Sequence, residues 1–490
     1  MSEILLLPIV LPVCVGLGYL LSPETWFSNR KRLVCGVGAM MVLCAICSIV
    51  AIFGLKEEYQ LFSLVQGITL TLHIDDLGRL FAVVTTLVMV LVLFFSFGYM
   101  AHEEHEKRFY GFYFLTYGVL MGLDFSGNVV TMYLFYEFMT LATFPLVLHT
   151  GTKEAIMAGL KYLFYSFCGA HMALFGIYFL YKYADITDFM AGGSLDLAAV
   201  LADGNTGFML VIVFLLILGF GVKAGMFPLH AWLPTAHPVA PAPASALLSG
   251  IVVKGGVLAI IRIVFYVVGA DFIKGTWVQT AWLALSLITV LMGSALAYKE
   301  RVFKKRLAYS TVSNLSYILF GLALLNPVGM TGSLLHVIFH AIIKSCLFLC
   351  AGAIIVTTGK TKVAELSGVG KQMPVLMWCF TFASLALIGI PPTSGVVSKW
   401  YLCTGAMEER ISVVWWLGPV VLLISALLTA GYLLPVSINS FMGEASVTER
   451  KEPKVVMLIP IILLAVLTLL LGLYPTPIVD FISGITAGLM

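Results

Sequence analysis

The stretch GVKAGMFPLHAWLPTAHPVAPAPASALLSGIVVKGG, residues 221–256, carries a lysine near each end of an otherwise apolar region. Pro228 and Pro234 lack the amide hydrogen that an α-helix needs, and their rings clash with the preceding turn. A helix that includes Lys223 is therefore predicted to break just after this residue, and Lys254 lies in the next apolar span. A break at membrane depth frees backbone groups, so it implies a hydrated cavity.

A second interruption lies far along the chain, in IGIPPTSGVVSKW at residues 388–400. Here Pro391 and Pro392 interrupt an apolar run ahead of Lys399. Interrupted helices at corresponding places in two halves of a membrane protein are typical of transporters built from inverted repeats. The two breaks therefore predict such an architecture, with an ion site near each break.

The whole chain is far more apolar than a soluble domain. Of its 490 residues, 60% are hydrophobic and 11% are charged, whereas about 25% are charged in soluble domains. A helix needs about 20 mostly apolar residues to cross a bilayer, which here predicts an all-α integral membrane protein of about fourteen spans. The spans are predicted near residues 4–21, 31–54, 77–100, 109–125, 128–149, 155–182, 208–226, 240–267, 277–298, 305–325, 329–357, 372–389 continuing through 395–407, 412–442 and 455–474.

These spans group into four regions. Residues 1–108 hold the first three spans and, at 60–75, an alternating segment that predicts a small extramembrane hairpin. Residues 109–267 (spans 4–8) and 277–442 (spans 9–13) are predicted to form two inverted five-helix repeats, with the broken spans 7 and 12 as the fourth helix of each. Residues 455–490 hold span 14 and a short tail.

The basic residues indicate how the chain is oriented, because short cytoplasmic loops are enriched in Lys and Arg. The loops after odd-numbered spans hold the larger group: Arg30, Lys31, Arg32, Lys107, Arg108, Lys153, Lys299, Arg301, Lys304, Lys305, Arg306, Lys360, Lys362, Lys371, Arg450, Lys451 and Lys454. Even-numbered loops and span edges hold the smaller group: Lys56, Arg79, Lys182, Lys274 and Arg410. The first span lacks a basic leader and a cleavage site, so a retained helix is expected. Both termini are expected on the outer side of a prokaryotic plasma membrane.

Several other functions are not supported by the sequence. The CxxC of Cys44 and Cys47 has no second pair or flanking histidine, so packing thiols are expected there and no metal site. No iron–sulfur, haem, flavin or nucleotide motif occurs, so no cofactor and no catalytic residue are expected, and redox chemistry would belong to another subunit. The net charge of +3 is spread along the chain and predicts no nucleic-acid partner. The loop 102–108 is expected to be solvated, and the basic loop 299–306 is expected to be a topology signal that also contacts anionic lipid.

Lysines inside the predicted spans are the main functional signal. Five lie within apolar runs: Lys161, Lys223, Lys254, Lys344 and Lys399. A buried charge costs roughly 2.5–3.5 kcal/mol at a helix centre, and the one clearly deep acid, Glu137, cannot neutralise all five. We therefore expect groups that bind and release protons in a hydrated interior rather than static ion pairs. Arg262, near a helix end, is either a buried charge or a lipid anchor, and Lys161 could also reach the surface.

The eleventh span carries a stripe of titratable residues. His336, His340 and Lys344 follow one another at steps of four, which places them on one helical face. Three titratable groups on one stripe favour a proton relay, and a metal site would need more ligands. His230 and His237 lie in or beside the first break and are accessory candidates.

Six motifs, in this order, resemble one known family. They are YLFYEFMTLATFPL (133–146), LKYLFYSF (160–167), KAGMFPLHAWLPTAHPVAPAPASALLSGIVVK (223–254), KRLAYSTVSNLSYI (305–318), HVIFHAIIKSCLFLCAGAI (336–354) and IGIPPTSGVVSKW (388–400). The chain resembles the antiporter-like subunits shared by respiratory complex I, Mrp-type Na⁺/H⁺ antiporters and membrane-bound energy-converting hydrogenases. The resemblance covers roughly residues 70–440.

The resemblance implies fourteen helices in two inverted repeats and assigns roles to the buried charges. Glu137 would pair with Lys223 of the broken seventh helix, and Lys399 would hand the proton towards the outlet. Between these ends, the polar axis would be extended by the following residues: Lys161, Lys254, His336, His340 and Lys344.

The chain departs from the family pattern in three places. Asn128 stands nine residues before Glu137, where members often carry Asp, and Asp124 one turn earlier is the candidate substitute. Lys399 stands where M-type complex I subunits typically have Glu. The chain also ends soon after span 14, without the long lateral helix of L-type subunits. The break motif itself is closer to hydrogenase-linked and M-type members than to Mrp members.

Three functions follow as hypotheses. The first is a proton-translocating subunit of a redox-driven complex. Its partners would be further antiporter-like subunits, small membrane subunits and a hydrogenase-like or iron–sulfur peripheral arm. The second is a subunit of an Mrp-type antiporter that exchanges H⁺ for Na⁺, and the third is a silent membrane scaffold.

Overall fold

The structure is a computed structural model that describes residues 2–27, 29–54, 58–65, 67–408, 413–444 and 450–489. Lys56 and Arg410, two of the basic residues used for the orientation, lie outside the described residues. The described chain consists of helices of very different lengths and one hairpin. Most of the long helices stand side by side in one bundle, whose interior is a continuous apolar core.

The bounds of the elements are as follows. The α-helices are α1 (Leu7–Leu21), α2 (Arg30–Phe53), α3 (Asp76–Tyr99), α4 (Glu106–Asp124), α5 (Val129–Val147), α6 (Lys153–Leu180), α7 (Leu197–Ala202), α8 (Thr206–Lys223), α9 (Leu233–Val239), α10 (Ala242–Leu247), α11 (Val253–Ile261), α12 (Ala270–Ile273), α13 (Trp277–Lys299), α14 (Phe303–Ala323), α15 (Pro327–Thr358), α16 (Val369–Gln372), α17 (Pro374–Ile388), α18 (Ser394–Glu408), α19 (Val414–Met442), α20 (Val455–Leu473) and α21 (Thr476–Ala487). The strands are β1 (Tyr59–Val65) and β2 (Ile68–Leu72). A π-helical segment, Leu248–Val252, joins α10 to α11, and a second, Arg262–Val268, extends α11. Together they form one continuous helix, Ala242–Val268.

The predicted membrane architecture is confirmed. Among the described residues, eleven helices are long and apolar enough to cross a bilayer, so the chain is a multi-span membrane protein. The predicted spans 4, 10 and 12 correspond to α4, α14 and the α17–α18 pair, which are not among those eleven. Because α4 and α14 are enclosed by other helices over most of their length, neither needs a fully apolar surface. The count of fourteen and the division into two repeats stay predictions.

Contacts between loops sort them to two ends of the bundle. At one end, Arg30 forms an ion pair with Glu106 at 2.8 Å, joining the loops after spans 1 and 3. This end, which carries the loops after odd-numbered spans, is called the basic end. At the other end, Leu72 of β2 forms a backbone bridge with Ser126, joining the loops after spans 2 and 4. This is called the hairpin end, and which end faces the cytoplasm stays a prediction.

Both predicted helix breaks are found where proline and glycine were expected to place them. Helix α8 ends at Lys223, Gly225 follows with a left-handed φ of 69°, and the chain does not become α-helical again until Leu233. Helix α17 ends at Ile388, and Gly389 follows with a φ of 92°. Glycine adopts such angles without steric cost, so each break has a local cause in the sequence.

The predicted hairpin at 60–75 is also confirmed, as the antiparallel pair β1 and β2. The short tail predicted after span 14 contains a further helix, because α21 follows α20 almost at once. Ile482 and Ile485 of α21 are buried, and Thr486 is hydrogen-bonded to Thr331 of α15. The alternation of apolar and small polar residues therefore makes a short amphipathic helix that packs on the bundle.

Candidate proton-translocation site

Lys223 lies at the end of α8 with no exposed surface. Its Nζ donates hydrogen bonds to three hydroxyls: Thr140 Oγ1 at 2.8 Å, Tyr162 OH at 2.9 Å and Ser166 Oγ at 3.0 Å. The ammonium also lies 4.5 Å from the centre of the Tyr162 ring, within cation–π range. An ammonium has three protons, so these neutral acceptors use its full donor capacity.

Glu137 therefore makes no direct ion pair with Lys223 in this structure, although the resemblance implies one. Its Oε1 accepts a hydrogen bond from Tyr133 OH at 2.9 Å, one turn earlier on α5. The side chain is half-buried and lies beside the exposed Phe138 on the outer face of the bundle. Thr140 of α5, which does bind Lys223, lies one turn further along that helix than Glu137. The Glu137 carboxylate therefore lies about one turn of α5 from the contact with the Lys223 ammonium.

Lys161 lies towards the basic end and is only half-buried. Its Nζ donates to Thr235 Oγ1 of α9 at 3.0 Å. Both residues line a cavity of about 400 Å³ together with His230 and Lys305. The structure thus places Lys161 and His230 together at the mouth of the first helix break, apart from the Lys223 cluster.

Lys254 forms the centre of the polar axis. Its Nζ donates to the carbonyl oxygen of Ser249 at 2.6 Å and to Nδ1 of His340 at 2.7 Å. Ser249 belongs to the π-helical segment that precedes Lys254, and π-helical turns loosen the regular backbone ladder and occur often at functional sites. The lysine is therefore held by one carbonyl and one titratable imidazole, and is 3% exposed.

The predicted stripe on α15 continues from this bond. The rings of His340 and His336 stack with centroids 5.7 Å apart, and His336 Nδ1 is hydrogen-bonded to Ser398 Oγ at 2.9 Å. The Nε2 atoms of both histidines are buried without a hydrogen-bond partner among the described residues. Each imidazole thus keeps one nitrogen free for proton transfer.

Lys344 and Lys399 lie beyond the two histidines, in different directions. Lys344 Nζ donates to the carbonyl of Leu307 at 3.0 Å and to the Ser310 hydroxyl, both on α14. Lys399 Nζ donates to the carbonyls of Leu387 and Ile388, each at 2.7 Å. These are terminal carbonyls of α17, so Lys399 caps the second helix break.

Tyr317 joins Lys399 to the histidine stripe. Its ring stacks on that of His336 with centroids 5.5 Å apart. The ammonium of Lys399, on α18, lies 5.1 Å from the centre of the Tyr317 ring. Contacts through the two histidines and Tyr317 thereby connect Lys254 to Lys399. No described hydrogen bond links these residues to the Lys223 cluster.

Asn128 and Asp124 have different surroundings. Asn128 caps α5 through its Oδ1, which accepts from the Thr131 amide, and its amide nitrogen donates to the carbonyl of Thr69 in β2. It therefore fastens the hairpin to the bundle. Asp124 is 3% exposed and its Oδ2 accepts from Thr85 Oγ1 at 2.8 Å. The expectation that Glu137 is the one clearly deep acid needs correction, because Asp124 is more enclosed.

Three further residues have surroundings that the sequence did not indicate. Arg262 is buried and forms a two-pronged ion pair with Asp75 at 2.6 and 2.7 Å, so it is not a lipid anchor. Lys304, expected in a basic loop in contact with anionic lipid, is 6% exposed and donates to the carbonyls of Pro238 and Ala240.

His237 is fully buried against Phe348, with neither ring nitrogen hydrogen-bonded among the described residues. For Lys304 and His237, the signal in the sequence was the concentration of prolines at 228–243. These prolines shorten α9 and α10 and leave backbone carbonyls free at their ends.

The arrangement suits proton transfer. Its groups are amines, imidazoles, hydroxyls and carbonyls, most of them buried inside the bundle and joined partly by hydrogen bonds and partly by ring contacts. Among the described residues, no group of three or more His, Cys, Asp or Glu side chains is placed to hold a metal ion.

Comparisons with known proteins concern the sequence and the fold of the chain. Residues 126–429 match the family model described as NADH:quinone oxidoreductase/Mrp antiporter, TM, and residues 65–110 match the N-terminus of complex I chain 5. The chain is 33% identical to the N-type subunit of the NADH-quinone oxidoreductase of Desulforudis audaxviator, over 80% of this chain and 81% of that protein. It is 29% identical to the D-type subunit of the Na⁺/H⁺ antiporter of Alkalihalophilus pseudofirmus, over 98% of this chain and 96% of that one.

A solved subunit of the membrane-bound sulfane sulfur reductase, an archaeal respiratory complex, has the same fold, with a TM-score of 0.83 and 23% identity over 100% of this chain and 97% of that one. The fold, the order of the buried charges and the extent of the first family match together show that the chain belongs to the NADH:quinone oxidoreductase/Mrp antiporter family of membrane subunits.

Proposed function

We propose that the chain is the proton-translocating membrane subunit of a redox-driven complex. The observation that carries the proposal is the Lys254–His340 hydrogen bond of 2.7 Å, which joins a buried amine to a buried imidazole. An imidazole can accept a proton at one nitrogen and release it from the other, so His340 is suited to pass a proton between Lys254 and His336. Proton transfer then continues past Tyr317 to Lys399.

Lys223 starts the transfer in this proposal. The backbones of α8 and α11 touch near it: a methyl group placed on Gly256 would lie 2.6 Å from the carbonyl of Phe220 and 3.0 Å from Cβ of Lys223. Lys254 is two residues away on α11, and Lys223 is proposed to act on it electrostatically rather than by contact.

Glu137 provides the coupling to a partner. It is half-buried on the outer face of the bundle, one turn of α5 away from Thr140, which binds Lys223. A neighbouring membrane subunit that presents a charge to this face would change the electrostatic environment of Lys223 without touching it. The relatives are named as subunits of NADH-quinone oxidoreductase and of Na⁺/H⁺ antiporters, which supports membrane partners in general. A redox arm as the source of energy belongs to the proposal.

The test is proton uptake by liposomes that contain the tagged complex, driven by a potassium diffusion potential and read with an internal pH dye. Lys254→Met keeps the volume of the side chain but removes the amine, and proton uptake is expected to fall by on the order of a hundredfold, as for loss of a positioned proton carrier. Lys182→Met is the matched control, because Lys182 is exposed and paired with Asp203 away from the axis. Unchanged uptake by Lys254→Met in a normally assembled complex would favour a silent scaffold.

Exchange of Na⁺ for H⁺ is the second candidate, because the match to the Na⁺/H⁺ antiporter of Alkalihalophilus pseudofirmus extends over 98% of this chain. The two functions differ in what crosses the membrane. In the same liposomes, uptake of radioactive sodium that depends on an outward proton gradient and is lost in Lys254→Met would support exchange. Proton uptake that is the same with and without sodium would support the redox-driven pump.

A further inference from the structure

A cavity at the hairpin end of the bundle has a lining unlike the rest of the protein. It holds about 430 Å³ and is lined by the acids Glu58, Asp75, Asp76 and Asp188, with Arg262 at its inner wall. Since a charged lining with low-dielectric walls concentrates counter-ions, this vestibule would enrich protons and other cations at its surface.

The Arg262–Asp75 ion pair closes the inner wall of the vestibule. The Arg262 side chain is 4% exposed and lies between the rings of Phe189 and Tyr266, at 4.7 and 4.6 Å. The Asp75 side chain is 24% exposed, so it is the more accessible member of the pair at the vestibule, whereas Arg262 is almost fully buried. Two parallel hydrogen bonds fix the planar guanidinium, which makes the pair a well-defined barrier.

Asp124 lies directly behind this barrier. A methyl group placed on Gly78 would lie 2.5 Å from the backbone oxygen of Asp124, 3.2 Å from Oδ1 of Asp75 and 3.6 Å from Nη2 of Arg262. The three residues therefore meet around a position where only glycine leaves room.

Asp124 also meets the central lysine. A small enclosed cavity is lined by Thr85, Asp124, Gly250, Lys254 and Gly255, so Asp124 and Lys254 border the same internal space. Thr85 holds the carboxylate in place through its 2.8 Å hydrogen bond. From the inside outward, the order is Lys254, Asp124, the Arg262–Asp75 pair and the vestibule.

We propose that these residues form a gated side outlet, through which a proton on Lys254 reaches the hairpin end by way of Asp124 when the Arg262–Asp75 pair opens. Lys254 releases the proton through a water in the enclosed cavity to the Asp124 carboxylate, and Asp124 releases it to water of the vestibule, so no reactant other than water is needed. This proposal rests on the proposed function. It adds an outlet within the first predicted repeat, separate from the file that leads through the histidines to Lys399.

The experiment uses the same liposomes and the same driving potential. Asp124→Asn removes the carrier with almost no change of shape, and proton uptake is expected to fall by roughly half, to the share that leaves through the histidines. Arg262→Lys keeps the charge but loses the two-pronged geometry, so the gate is expected to open more often and uptake to rise severalfold. Asp203→Asn, which breaks an exposed ion pair at the same end, is the control and is expected to match the unmodified protein.

The double variant Asp124→Asn/Arg262→Lys separates a route from a merely structural role. If the extra flux of Arg262→Lys passes through Asp124, the double variant returns to the low uptake of Asp124→Asn. Extra flux that persists in the double variant, or normal uptake by Asp124→Asn, would overturn the side outlet. If Asp124→Asn is normal while Lys254→Met is inactive, the side outlet fails and the proposed function stands; if Lys254→Met is also normal, both fail.

Discussion

Lys254 shows how the site works at the scale of single residues. Its ammonium is enclosed by a carbonyl and an imidazole at 2.6 and 2.7 Å, and both are neutral acceptors. No carboxylate is described within hydrogen-bonding distance of it. Burial of an ammonium without an ionic partner costs several kcal/mol, so the neutral form competes with the charged form at this position. A group balanced in this way can both take up and release a proton.

His340 is expected to carry the share of proton uptake that leaves Lys254 through the α15 stripe. His340→Gln keeps a hydrogen-bond acceptor for Lys254 but cannot carry a proton from one side of the ring to the other, so proton uptake is expected to fall by roughly half, to the share that leaves through Asp124. His171→Gln is the control, because His171 is exposed on α6. Equal uptake by the two variants would contradict a relay through the α15 stripe.

His149 gives a prediction about pH and stability. It lies beyond the end of α5 at the basic end, is 3% exposed, and its Nε2 donates to the carbonyl of Glu104 at 3.0 Å. Burial lowers the pKa of His149 to about 4 from its ordinary value of 6.5. The unfolded chain therefore binds a proton between pH 6.5 and 4 that the folded chain does not, and this residue destabilises the fold as the pH falls through that window.

The measurement is thermal unfolding in detergent at pH 7.5 and pH 4.5. His149→Gln can still donate to Glu104 but does not titrate, so its melting temperature is expected to fall less on acidification than that of the unmodified protein. An equal fall in both proteins would contradict a buried neutral His149.

At the scale of elements, close approach of helices matters as much as the breaks. The breaks follow from proline and glycine, whereas the contact of α8 with α11 depends on Gly256, where an added methyl group would lie 2.6 Å from a backbone oxygen. Backbone cannot move aside as the end of a side chain can. The position of Lys223 relative to Lys254 is therefore set by a residue with no side chain.

Gly256→Ala is expected to destabilise the protein by roughly 1–3 kcal/mol, as overpacking of a tight contact does. Gly18→Ala is the matched control in α1, where no atom of the described chain lies within 4 Å of the added methyl group, and it is expected to be neutral or slightly stabilising. Melting temperatures of the two purified variants in one detergent provide the comparison. A lower value for Gly18→Ala than for Gly256→Ala would contradict the described packing of α8 on α11.

The elements also indicate what could be predicted from sequence. The spans, both breaks and the hairpin depend on residues close together in the chain, and all were predicted. The Arg262–Asp75 pair joins residues 187 positions apart, and the burial of Lys304 depends on carbonyls left free by the short α9. Local patterns contain no signal for such contacts. Helix α21 was missed because it is shorter than a span and only partly apolar.

At the scale of the whole molecule, the loops are sorted to two ends with different charge. The basic end carries the loops rich in Lys and Arg, and the hairpin end carries the acidic vestibule. The rule for basic loops places the basic end in the cytoplasm. The side outlet and Asp75 would then open on the outer face, so the direction of proton release depends on this orientation.

Two single cysteines in a protein without its native cysteines test the orientation. Ala101→Cys lies at the basic end and Ala202→Cys in α7 at the hairpin end, and both positions are exposed. In intact cells, a maleimide that does not cross membranes is expected to label position 202 and to label position 101 only after the cells are opened. The reverse pattern would contradict the predicted orientation.

The central claim is that buried amines pass protons through the bundle. The most direct test is a protein in which Lys223, Lys254 and Lys399 are all replaced by Ala, reconstituted in liposomes at the same amount of folded protein as the unmodified chain. We predict that proton uptake under an imposed potential falls to the level of empty liposomes. Uptake equal to that of the unmodified protein would contradict the account.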